Sequence, residues 1–203
     1  MGKDFDQLAK DGKRTLAETI QRTVFPFFQG TPNFGAIAGT DEFKHWARLV
    51  VQNAAALAGH LAQRQYRVLT GGTDNHMVLI DVYSRGLTGT IAERALEECH
   101  VITNKNRIPG DKNDALTASG LRLGTNALSS RGMRPKEMKI CADLIAEVLC
   151  STTVLDRGTY HVDPKVKRWA QDQVSDLCEQ FPIPNYPLMN RFELNPIPCY
   201  ATD

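Results

Sequence analysis

Apolar residues recur along this chain at two periods. Leu16, Ile20 and Val24 stand four apart, which predicts a helix over 15–23. Phe43, Ala47, Val50, Ala54, Leu57 and Leu61 form one stripe and predict a long helix from about Asp41 to Gln65. Arg67–Thr70 and His76–Tyr83 read as two strands, joined by a turn at Gly71-Gly72. Thr90–Glu98 returns to the helical period, with Thr90 and Glu93 spaced for a capping box. Val101–Thr103 reads as a short strand, and 104–118, with Pro109-Gly110 and many polar residues, as a loop. Leu121 and Leu123 flank Arg122, so the next strand turns the arginine away from the leucines. Met138, Ala142, Ile145 and Leu149 share one face of a helix over Pro135–Cys150. Asp163-Pro164 joins an N-cap residue to a first-turn proline and opens a last helix to about Gln180.

The order helix, two strands, helix, strand, loop, strand, helix is a two-layer α/β pattern. Residues 1–14 are charged and carry Gly2 and Gly12, which suits a flexible lead. Pro26, Pro32, Gly30, Gly35 and Gly39 make 25–40 a loop. Pro182, Pro184, Pro187, Pro196 and Pro198 predict a tail that is extended or disordered unless a partner holds it. No internal repeat is visible.

Composition narrows the function classes. At 203 residues and 22.6 kDa, with 42% hydrophobic residues, the chain suits one domain with extensions. A net charge of +1 without long basic runs argues against a dedicated binder of nucleic acid or anionic membrane. No apolar run reaches membrane-spanning length, and 1–23 lacks a signal-peptide core. Cys99, Cys141, Cys150, Cys178 and Cys199 show no metal-ligand spacing. An odd, unpatterned set predicts reduced thiols and a cytoplasmic location. Cys99-His100 alone does not make a zinc site.

Arg122 is the first candidate for chemistry. A guanidinium among apolar and small neighbours is costly unless an anion meets it, and its planar fork matches a carboxylate bidentately. Two partners satisfy that reasoning: a ligand carboxylate, or a structural Asp or Glu.

Several runs together go further. Val24-Phe25-Pro26 with Gln29-Gly30, Gly71-Gly72-Thr73-Asp74-Asn75-His76, Asn104-Lys105-Asn106, Ser119 to Thr125 and Ser130-Arg131-Gly132 occur in one order. So do Gly86-Leu87-Thr88-Gly89 and Ala92 to Glu97. In order and spacing they resemble the C-terminal part of serine hydroxymethyltransferase, a pyridoxal-phosphate (PLP) enzyme of the fold-type-I superfamily. The resemblance covers roughly residues 20 to 182. It implies the small C-terminal α/β domain of such enzymes, preceded by a helix and loop lead. The chain then divides into a lead and phosphate-loop-like segment (1–40), the α/β domain (41–182) and the proline-rich tail (183–203).

The family forms its Schiff base on a lysine in a Thr-His-Lys run upstream of the Val-Phe-Pro segment. No Thr-His-Lys run occurs in these residues. The resemblance therefore implies one subunit of a split enzyme acting on β-hydroxy amino acids, with a second chain supplying the PLP lysine and the large domain. PLP is shared with that partner, and tetrahydrofolate is a possible second ligand. The matching arginine, Arg122, binds the substrate α-carboxylate, and the matching asparagine, Asn106, hydrogen-bonds the pterin ring. Asn106 has a second reading as a loop asparagine bonding its own backbone. Gly30 stands where the family's paired glycines offer N–H groups to the cofactor phosphate. The second glycine is Thr31 here, so a phosphate contact and a plain turn before Pro32 both stay open. Asp74-Asn75-His76 reads as a structural turn, and Lys105 in its polar loop is no replacement for the missing lysine. Phe27 and Phe28 suit an apolar contact with a partner, or the core. A stretch of the family's helix is absent between Gly39 and Glu42. The rival to the catalytic reading is a non-catalytic scaffolding subunit derived from such an enzyme.

Overall fold

The computed structural model describes residues 39–156 and 158–183. The chain divides into two compact units, Met1–Lys44 and His45–Asp203. Of the first unit only 39–44 is described. There Thr40 Oγ1 accepts from the Phe43 N–H and caps helix α1 (Asp41–Gln63). The helix expected over 15–23 and most of the loop over 25–40 lie outside the described residues, as do Phe27 and Phe28.

In the second unit, α1 is followed by strands β1 (Arg67–Leu69) and β2 (Met77–Asp81) and one 3-10 turn (Tyr83–Arg85). Helix α2 (Gly89–Glu98), β3 (Asn104–Asn106) and β4 (Gly120–Gly124) come next. The short α3 (Asn126–Ser130), α4 (Pro135–Cys150), the hairpin β5 (Thr152–Asp156) and β6 (Thr159–Val162), and α5 (Pro164–Gln180) complete it. The main sheet is antiparallel throughout, in the order β1-β2-β4-β3.

Register decides which side chains share a face, because opposed residues in antiparallel strands point the same way. Val68, Ile80 and Leu121 lie in one row, with Val78 and Leu123 in the next row on that face. All five are buried and join one core with Leu57 and Leu61 of α1, Ile91 and Leu96 of α2, and Met138, Ile145 and Leu149 of α4. The other face carries Leu69, Leu79, Arg122 and Asn104 in one row, and Arg67, Asp81, Gly120 and Asn106 in another. Most of this second face is half-buried or exposed. The result is the expected two-layer α/β arrangement.

Four local expectations change. Helix α2 begins at Gly89 and is capped by Thr88, whose hydroxyl accepts from Ile91 N–H. The Thr90–Glu93 capping box does not form, because Thr90 already lies inside the first turn. Its hydroxyl donates instead to Leu116 O at 2.7 Å. No strand forms over Val101–Thr103. His100 takes a left-handed φ of 64°, and Val101 N–H returns to Leu96 O while His100 N–H meets Glu97 O. This Schellman closure consumes the segment and delays the strand to Asn104. The expected loop over 104–118 therefore opens as β3. Hairpin β5–β6 is an element the periodicity did not predict, since β5 is exposed along all but its first residue.

Strand β4 is crossed at very close range. A Cβ on Gly120 would lie 2.5 Å from Ile108 Cγ2 and 2.8 Å from the Ile80 carbonyl oxygen. Gly120→Ala is therefore expected to destabilise the fold by about 1–3 kcal/mol through overpacking. Gly124, four residues on, has nothing within 4 Å of the corresponding position, so Gly124→Ala should change stability by no more than roughly 1 kcal/mol. Urea unfolding midpoints of both variants check the contrast.

Candidate functional site

The second face of the sheet ends in an open cavity of about 650 Å³, within the size range of small-molecule sites. Its walls include Arg122 of β4, Asn106 of β3 and the connection Thr70–Asn75 between β1 and β2. Leu69, Met77 and Leu79 supply apolar surface. Two residues singled out from the sequence, Arg122 and Asn106, thus line one cavity. Their side chains reach it because each strand keeps its alternate residues on this face.

Arg122 is exposed, between buried Leu121 and Leu123. Its side chain makes no ion pair or hydrogen bond among the described residues, so the structural carboxylate considered as its partner is not found among them. Being solvated, the guanidinium carries no desolvation cost in this state. It is a five-donor fork facing a cavity. Asn106 is half-buried, and its Nδ2 donates to the Arg107 carbonyl at 2.8 Å. Its donor half thus serves the local backbone, while Oδ1 has no partner among the described residues.

The Thr70–Asn75 connection is shaped by its own polar groups. Gly71 has a φ of 91°, which favours glycine. Asn75 N–H donates to Thr73 Oγ1, and Asn75 Oδ1 accepts from Met77 N–H at 2.9 Å. Asn75 is thus the turn residue expected on entry to β2. His76 is exposed. Asp74 was read only as part of that turn, and its place on the cavity wall was missed. The signal lay in the strand pairing, since a β1–β2 hairpin beside β4 sets its turn next to the Arg122 end of the sheet.

The loop entering β4 is organised by Asp111. Its carboxylate accepts from Ser119 Oγ at 2.6 Å and from the N–H groups of Asn113, Ser119 and Ile108 at 2.9, 3.0 and 3.2 Å. The Ser119 hydroxyl, then the Asn113, Ile108 and Ser119 N–H groups, pull its pKa down to about 2 against an opposing desolvation. The segment 107–119 is therefore a tied loop. Periodicity had no way to reveal this, because the ligating groups are mostly backbone.

Lys105 sits on strand β3 rather than in a loop. In register with Leu121, it faces the core side of the sheet, and its Nζ meets Glu93 Oε2 at 2.9 Å. Burial raises the Glu93 pKa, but the Lys105 N–H and Nζ bonds outweigh it and hold the carboxyl below its ordinary value. Gly30 and Thr31 lie outside the described residues. Cys99, Cys141, Cys150 and Cys178 are free thiols. Among the described residues no group of acidic, histidine or cysteine side chains is placed to hold a metal ion, and no helix is long and apolar enough to cross a membrane.

The fold and cavity define a two-layer α/β domain with a ligand-sized cleft on the open face of its sheet. The chain belongs to the serine hydroxymethyltransferase family, whose family model matches residues 2–145. The match begins nearer the N terminus than the motifs suggested and ends within α4, so it does not include β5, β6 or α5. Membership makes the function serine hydroxymethyltransferase-like and the reaction class transfer. Enzymes of this family generally use PLP and folate. Among the described residues no lysine lines the cavity. The described lining offers a guanidinium and an amide edge but no amine, so it does not fit covalent attachment of PLP.

The Asp111 tie gives a pH signature. Its folded value, about 2, lies below the ordinary 3.8. Its contribution to stability is therefore complete above the unfolded value and is lost as pH falls through about 2. Asp111→Asn should be less stable than the parent near pH 7, with the gap closing as pH drops from about 4 to 2. Thermal melts of both proteins across that window check it, and a constant gap would contradict the tie.

Proposed function

We propose that this chain is the C-terminal-type subunit of a split serine hydroxymethyltransferase-like enzyme. Arg122 receives the carboxylate of a β-hydroxy amino acid, and a second chain carries the PLP lysine and the large domain. The observation that carries the reading is the placement of Arg122. It is exposed, has no ion-pair partner among the described residues, and stands on one cavity wall with Asn106. PLP supplies electron-sink chemistry wherever its lysine stands, and none of that chemistry is assigned to residues of this chain. The part of this chain is to bind and orient. A bidentate guanidinium fixes the carboxylate plane, and the half-apolar floor of Leu69, Met77 and Leu79 limits water beneath the ligand. Asn106 keeps an acceptor for a heterocycle N–H, which supports a folate ligand in part. With its donor committed to Arg107 O, Asn106 is also the observation that favours the second reading, a scaffolding subunit.

Arg122→Ala is expected to weaken amino-acid binding in the assembled enzyme by about 1.5–3 kcal/mol, and Arg122→Lys to restore only part. Assembly should survive both changes. Spectral titration with amino acid and size-exclusion analysis on the same variants read the two effects separately. Unchanged affinity in an intact complex would remove Arg122 from the site and leave the scaffolding reading.

Incubated with PLP and then borohydride, the chain alone should retain no stoichiometric pyridoxyl label. Mixed with the lysine-bearing partner, it should form one stable complex, and a permanent interface of that kind exceeds roughly 2,000 Å². Peptide mapping that finds a full label on one of this chain's own lysines would overturn the division of labour.

A further inference from the structure

Resting on the reading of Asn106 as the amide that meets a ligand heterocycle, we propose that Asp111 is a positioning residue of the site: it fixes the Asn106 amide through the peptide unit between Arg107 and Ile108, so that the cavity keeps an acceptor for a ring N–H. Asn106 lines the cavity, and Asp111 stands outside its described lining. Two hydrogen bonds connect them. Asn106 Nδ2 donates to the Arg107 carbonyl at 2.8 Å. The Ile108 N–H of the same peptide unit donates to Asp111 Oδ2 at 3.2 Å. A peptide unit is planar, so holding its N–H sets the direction of its C=O. Asp111 therefore aims the carbonyl that takes up the Asn106 donor.

The rest of the loop makes that peptide unit hard to turn. Ile108 to Asp111 form a tight turn, closed by Asp111 N–H to Ile108 O at 2.9 Å. Pro109 stands second in it and Gly110 third, at a φ of 74°. The Arg107 guanidinium reaches forward and donates to Asp111 O at 3.0 Å. Asp111 Oδ2 also accepts from Ser119 N–H at 3.0 Å, so one oxygen joins the exit of β3 to the entry of β4. Turning the Asn106 amide over would set Oδ1 against the Arg107 carbonyl, two acceptors with no proton between them. The donor end is thus spent on the backbone, and Oδ1, without a partner among the described residues, is left for a ligand. A heterocycle with a ring N–H satisfies that acceptor, whereas one that brings only acceptors to it leaves both unpaired and is disfavoured.

The test titrates the full isotopically labelled chain with 5-formyltetrahydrofolate at pH 7, read by NMR. Asn106→Ala is expected to weaken binding roughly three- to tenfold, the step one hydrogen bond provides. Asp111→Ala should weaken it by a similar factor, yet cost nothing more in the Asn106→Ala background, because its effect passes through that amide. Ser119→Ala removes the 2.6 Å bond to Asp111 Oδ1 without touching Ile108. It should lower thermal stability and leave affinity unchanged, a separation that a purely structural role for Asp111 does not give. The Asn106 side-chain NH2 resonances should move in Asp111→Ala and stay in place in Ser119→Ala. Where Asp111→Ala does not fold, Asp111→Asn, which retains one acceptor oxygen, is expected to show the same effects at smaller size. The positioning role is overturned if the Asp111 variants bind as tightly as the parent, or lose affinity equally in the Asn106→Ala background, while Asn106→Ala alone weakens binding. That result would leave the ligand reading of Asn106 standing. If the probe shifts no cavity resonance, or Asn106→Ala binds it as well as the parent, both assignments fall together.

Discussion

The direction of one side chain on strand β4 is set by two leucines. Leu121 and Leu123 are 0% and 4% exposed in the core, and burying each contributes about 1.5–3 kcal/mol. A slip of one residue against β2 or β3 would turn both leucines to the open face and drive the Arg122 guanidinium into the core. The slip loses hydrophobic burial twice and adds the cost of an unpaired buried charge. Pairing on both edges prevents it, with Leu121 opposite Ile80 and Lys105. The exposure of Arg122 thus follows from core packing, and the cavity is built around an orientation the core enforces.

Both ends of β4 are held by polar groups that leave no slack. At its entry, Asp111 gathers Ser119 and three backbone N–H groups. Just before it, Ala118 takes a φ of 50°, a left-handed conformation that costs a non-glycine residue roughly 1–2 kcal/mol. The cost is tolerated because Ala118 O accepts from Gly89 N–H at the start of α2. A Cβ on Gly89 would lie 2.8 Å from Gly120 O, so helix and strand meet backbone to backbone. At the exit, Thr125 Oγ1 donates to Val50 O of α1, and Ser129 Oγ donates to Thr125 O. Asn53 then bonds Ser129 and Met133. The strand that carries Arg122 is therefore tied to α1 and α2, which share its core with α4.

Much of this was legible in the chain, because it rests on periodicity. The stripe of Val50, Ala54, Leu57 and Leu61, the 16-residue helix α4 and the Leu-Arg-Leu alternation of β4 all lie where spacing put them. The Asp163 cap and Pro164 start of α5 were equally plain. What spacing missed was chemistry written in backbone groups. Thr88 rather than Thr90 caps α2, since a cap depends on where the helix begins, and either threonine fits the sequence. The Schellman turn at His100 consumed a segment whose Val-Ile-Thr composition looked like strand. Asp111 bonds groups two, three and eight residues away, a pattern without a period. For the site, sequence motifs marked Arg122 and Asn106, whereas Asp74 joined the cavity only through the pairing of β1 with β2 and of β2 with β4.

The two motif residues differ in what their surroundings ask of them. Asn106 has a local use for its amide, since its Nδ2 donates to the Arg107 carbonyl as the chain leaves β3, so its presence is accounted for whether or not a ligand visits. Arg122 has no such use. A strand position flanked by glycines at 120 and 124, exposed and without a described partner, would accept almost any polar residue at little cost to stability. The fold thus accounts for the orientation of residue 122 but not for its identity as arginine. The carboxylate role proposed for Arg122 supplies a reason for the guanidinium that folding does not. The same reasoning ranks the catalytic reading above the scaffold, because a scaffold needs the sheet and its packing but has no need of that side chain.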